Sequence, residues 1–84
     1  MASRIKRVRG LLKEIKAKKL ELDMLMTTLA QLNKQRDRAE TLPEDEKNVQ
    51  LRLLRRNMLN IQRAIASCKG EIAKLEEELN EVSL

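Results

Sequence analysis

Phe, Trp, Tyr and His are all missing from this 84-residue chain. Without His, with a single Cys and with no Gly-rich loop, it offers neither an acid–base pair nor a ligand set. No catalytic, cofactor-binding or metal residues are therefore expected, and the chain is not expected to be an enzyme. The missing aromatics remove the side chains that bury most area in one place, which argues against an ordinary globular core. The lone Cys68 forbids an internal disulfide and fits a reducing cytoplasm. No apolar run approaches the roughly 18 residues of a membrane span. No signal-peptide pattern follows the basic start either.

What remains is 42% apolar and 37% charged, with only 2 Gly and 1 Pro. Leu, Ile, Met, Ala, Lys, Arg and Glu in these proportions are the composition of long helices. A single small domain is all the length allows. Both ends run straight into helical pattern, which predicts a segment of a longer protein.

From Leu51 onward, Leu51, Leu54, Met58, Ile61, Ile65, Cys68, Ile72, Leu75, Leu79 and Val82 alternate in steps of three and four without a polar interruption. Such a sustained heptad predicts a coiled-coil seam. The first half is looser. Ile5, Val8, Leu12, Ile15, Leu22, Met26 and Leu29 fit a seam that Lys19, Asn33 and Arg36 break, while Leu11, Leu25 and Leu32 fall beside it. This half thus shows a wider apolar face than two strands need.

Pro43 disfavours helix at Leu42, and Glu44, Asp45 and Glu46 suit the positive end of a helix dipole. The expected organisation is helix 1 over about 4–40, a turn at about 41–44 and helix 2 over about 44–83. Thr41 and Glu44 have capping-box spacing. A chain that reverses here brings together residues whose numbers add to about 87. Leu29 then meets Met58, Met26 meets Ile61, Leu22 meets Ile65, Ile15 meets Ile72, Leu12 meets Leu75, Val8 meets Leu79, and Ile5 meets Val82.

Charge points the same way. Residues 1–20 hold eight Lys or Arg against one Glu, and residues 71–84 hold five Glu against Lys74. Reversal sets the basic end beside the acidic end, whereas a parallel dimer would set like beside like. The predicted fold is all-α, two long helices forming an antiparallel coiled-coil hairpin.

That pairing weakens two other readings of the basic start. A basic-zipper protein needs heptads continuing as a parallel dimer. Here the seam fails at Asn33 and Arg36, and no aromatic can stack on single-stranded bases. A basic amphipathic helix can lie on anionic lipid, but this one's apolar face is taken by the seam. Neither nucleic acid nor membrane is an expected partner.

Leu20, Met24, Leu53 and Leu59 point outward, and with Leu11, Leu25 and Leu32 they exceed what a hairpin hides. Arg52, Arg55 and Arg56 add a basic cluster near the turn. Leu20, Met24, Leu25, Leu32, Leu53, Leu59, Arg52, Arg55 and Arg56 form the candidate partner surface.

"KNV" at 47–49, then Ile61, Ile65, Cys68, Ile72 and "LEE" at 75–77, resembles the second helix of a regulatory coiled coil in kinesin-4 class motors. The resemblance covers roughly residues 47–78. In that family an antiparallel hairpin within the stalk docks on the motor domain and restrains it on microtubules. The resemblance thus implies a non-catalytic module, cytoplasmic and cytoskeleton-associated, that regulates or docks a larger cytoskeletal or motor protein by autoinhibitory contact. Its expected partners are its own chain, a protein such as a motor domain or another helix, and a second copy in a weak homodimer. The alternative is an oligomerising scaffold or trafficking effector joining chains by intermolecular helix pairing.

Overall fold

A computed structural model describes residues 2–83 as two helices, α1 (Ala2–Ala39) and α2 (Glu44–Ser83). They lie side by side and antiparallel as a coiled-coil hairpin, a rod of 66 × 14 × 13 Å. At ~1.5 Å per residue each helix runs nearly the full length of the rod.

The reversal uses no left-handed residue. The end of α1 tightens instead. Thr41 N donates to Arg38 O at 3.2 Å and Leu42 N to Ala39 O at 3.1 Å, both three residues back. The Thr41 hydroxyl also donates to Arg38 O, at 2.7 Å. It thus closes the C-terminus of α1, where orphan carbonyls need donors, and not the N-terminus of α2 as its spacing suggested. Pro43 stands immediately before α2, and its carbonyl accepts from Lys47 N at 2.8 Å. A proline loses nothing there, because its missing N–H would have been an orphan. Lys47 reaches back to Glu40 at 3.7 Å across the turn.

In α2 the seam lies as the heptad predicts. Leu51, Leu54, Met58, Ile65, Cys68 and Ile72 are buried, and Ile61, Leu75, Leu79 and Val82 are half-buried. In α1 it does not. Leu11 is 7% exposed and Leu12 is 51% exposed. The row facing α2 is Val8, Leu11, Ile15, Lys18, Leu22, Leu25, Leu29, Leu32 and Ala39, an alternation of three and four broken only by exposed Arg36. Ile5, Leu12 and Met26, expected in the seam, stand half-exposed on one flank. Helix α1 is turned by roughly 50° about its axis from the expected setting.

The cause is the trade between two interleaved rows that share Val8, Ile15, Leu22 and Leu29. One adds Leu12, Lys19, Met26 and Asn33; the other adds Leu11, Lys18, Leu25 and Leu32. The second sets Leu32 toward α2 and leaves Asn33 half-buried at the seam's edge, where its amide still reaches water. It also ends on Ala39, small enough to be buried against Leu51 and Leu54 at the turn, with Leu32 packed on that cluster. Cross-helix contacts fix the register: Arg4 with Val82 and Lys18 with Cys68 both add to 86.

Candidate docking surfaces

Two flanks run along the rod, one on either side of the seam, and their chemistry differs. On the first, Arg7 Nη2 meets Glu78 Oε1 at 2.8 Å and Lys18 Nζ meets Glu71 Oε2 at 2.6 Å and Glu21 Oε2 at 3.2 Å. These pairs match the basic end of α1 to the acidic end of α2. Hydrogen bonds to Glu71, then to Glu21, push the Lys18 ammonium up to about 12. Beneath it lies Cys68, 3% exposed, whose thiol donates to the Lys18 carbonyl at 3.3 Å. Burial, and after it the Glu21 carboxylate, raises the Cys68 thiol above its ordinary value; Lys18 opposes the shift. The cysteine therefore sits protonated in the seam as a small apolar filler. This layer ties the two helices together.

The second flank carries no such ladder. Ile5 (56%), Leu12 and Met26 (50% exposed) stand in the same row as Lys19 and Asn33, seven residues apart. Midway along lies a shallow groove lined by Lys19, Leu22, Asp23, Lys69, Ile72, Ala73 and Glu76. Two seam residues, half-buried Leu22 and buried Ile72, lie at its base. Leu59, exposed, lies toward this flank from α2, followed at seven-residue steps by Ala66 and Ala73.

The candidate partner residues divide between these surfaces. Leu20 and Met24 are 63% and 66% exposed, one helical turn apart on the back of α1. Leu53 and Leu59 are exposed on α2. Leu25 and Leu32 do not belong with them: both are half-buried in the row facing α2, a consequence of the rotation of α1. Arg52 and Arg55 line a shallow pocket with Asn48 and Leu51, and exposed Arg56 follows them on α2. The exposed Ile5, Leu12 and Met26 row was missed as a surface because its spacing imitates a seam. The Asn33 and Lys19 interruptions were the signal that it is not one.

Among the described residues no cluster of His, Cys, Asp and Glu could hold a metal ion, and no helix is long and apolar enough to cross a membrane. No family profile, curated protein or solved structure matches this chain.

Proposed function

We propose that the hairpin is a non-catalytic docking module of a larger cytoskeletal or motor protein, restraining a motor domain by direct contact. The observation that carries it is the ridge of Leu20 and Met24, which the hairpin leaves on the outer back of α1 with no role in the fold. Two long apolar side chains one turn apart on a rigid helix are the anchors of helix-in-groove recognition. The resemblance of residues 47–78 to the kinesin-4 regulatory coiled coil supports the choice of a motor domain and a cytoskeletal location. Turn-end Arg52, Arg55 and Arg56 supply charge that would steer the rod toward an acidic surface.

The test is the microtubule-stimulated ATPase of a kinesin-4 class motor domain with the hairpin added in trans. The expected result is inhibition that saturates with hairpin and is lost, by about tenfold in affinity or more, in Leu20→Glu/Met24→Glu. Unchanged turnover at saturating hairpin, or inhibition indifferent to that double substitution, would overturn the reading.

A further inference from the structure

We propose that the flank bearing Leu12 and Met26 seats a second copy of this chain, two hairpins closing into a four-helix bundle about a two-fold axis parallel to their length. The proposal is independent of the docking ridge, which lies on the back of α1 and stays free.

The two flanks are not equivalent, and their difference is the first reason. One is closed by cross-helix ion pairs at Arg7–Glu78 and Lys18–Glu71. The other leaves Leu12 and Met26 about half-exposed beside the shallow groove over Leu22 and Ile72. Apolar residues in the seam rows plus one adjoining row are the pattern of a helix in a bundle, whereas a two-stranded coiled coil uses the seam rows alone. A face 66 Å long and 14 Å wide offers on the order of 900 Å² per copy, which meets the ~800 Å² per partner of a stable interface.

The second reason is complementarity with itself. A two-fold axis along the rod keeps every residue at its own height, so α1 of one copy lies against α2 of the other in the register they already keep within a hairpin. Met26 then sits at the level of the partner copy's Leu59, and Leu12 at the level of its Ala73. The larger apolar side chain of each α1 meets a smaller or matching one on α2, and the relation repeats by symmetry. Charge follows the same rule: residues 1–20, with eight cations and one anion, lie along residues 71–84, with five anions and one cation, now between copies as well. Lys19, Asp23, Lys69 and Glu76 in the groove are balanced in sign, while Arg52 and Arg55, at the same heptad positions nearer the turn, keep their heads at the wet rim of this flank. The other way to stack these flanks, with the axis across the rod, would lay basic 1–20 against α1 residues 20–39, where three cations and three anions cancel. It loses that attraction; both arrangements keep neighbouring helices antiparallel, so charge is what separates them. Up-down-up-down packing with antiparallel neighbours is the ordinary four-helix arrangement.

Sedimentation equilibrium of the whole chain, from roughly 1 µM to 1 mM, covers the affinities an interface of this size can have. A mass of twice 9.8 kDa is expected at the upper end. Leu12→Glu/Met26→Glu should weaken association by about tenfold or more. Leu59→Glu, which alters only the receiving surface on α2, should do the same, and it decides the matter if the double variant loses helix. Leu20→Glu/Met24→Glu should leave the dimer intact. A 9.8 kDa mass throughout, or a dimer indifferent to Leu59→Glu, overturns the proposal. The axis is read from a spin label at Asp45→Cys in a Cys68→Ala background. Turns at the same end give about 20–30 Å between labels, and turns at opposite ends, roughly 60 Å, would overturn it.

Discussion

Cys68 and Lys18 occupy one layer, and each makes the hairpin's stability depend on alkaline pH. The thiol is raised above 9.0 by burial, so between that value and its folded one the native chain binds more protons than the unfolded chain. Stability then falls as pH rises through that window. Loss of the proton would also set a thiolate against the Lys18 carbonyl it now donates to. Lys18 has the same sign. Its ammonium is raised from 10.5 to about 12, so its contribution is complete below 10.5 and disappears as pH passes about 12. Urea melts from pH 8 to pH 11 should show the midpoint declining from about pH 9 upward, before lysine deprotonation begins. In Cys68→Ala this first decline should be absent, and a variant that declines identically would show that the thiol does not titrate against folding. The sequence placed Cys68 in the seam correctly, because α2 offers one unbroken alternation. Pairing at numbers that add to 87 would set Lys19 opposite Cys68, whereas Lys18 is the residue there.

At the scale of the element, α2 was legible and α1 was not, for a physical reason. The three-four alternation of α2 runs from Leu51 to Val82 without a polar interruption, and Leu53 and Leu59, the apolar neighbours of Leu54 and Met58, start no competing row. In α1 two rows compete, and Leu11 and Leu12 stand next to each other with equal hydrophobicity. Periodicity cannot rank them; the outcome depends on what lies further along each row. Leu25, Leu32 and Ala39 outweigh Met26 and Asn33, and the helix turns to bury the former. The seam row is therefore testable by adjacent truncations. Leu11→Ala should cost about 2–4 kcal/mol as a buried leucine leaving a cavity. Leu12→Ala, read in the monomer at low concentration, should cost less than about 1 kcal/mol. Equal costs in thermal or urea melts would mean that the helix rocks between its two rows. The turn was legible in place but not in detail: Pro43 located it, while Thr41 caps the helix before it and not the one after.

For the whole molecule, the same shape must account for both a folded monomer and its dimer. The hairpin has a Cα radius of gyration of 19.0 Å. An uninterrupted helix through Pro43 would be a rod of about 126 Å with a radius near 36 Å, so small-angle scattering separates the two without ambiguity. Dimerisation is the sharper case. Two rods lying flank to flank, with interaxial separations of about 8–10 Å, add only a few ångströms to the mass distribution on either side of the axis. The radius should rise by less than about 1 Å as concentration increases, while the forward scattering doubles. End-to-end association, or an exchange of helices between opened hairpins, would double the length with the mass and carry the radius well past 30 Å. Doubled intensity at nearly constant radius is thus the signature of a rod whose long flank, and not its tip, meets another copy. In Leu59→Glu the rise in intensity should move to at least about tenfold higher concentration, with the radius still about 19 Å, because the substitution touches only the closing face.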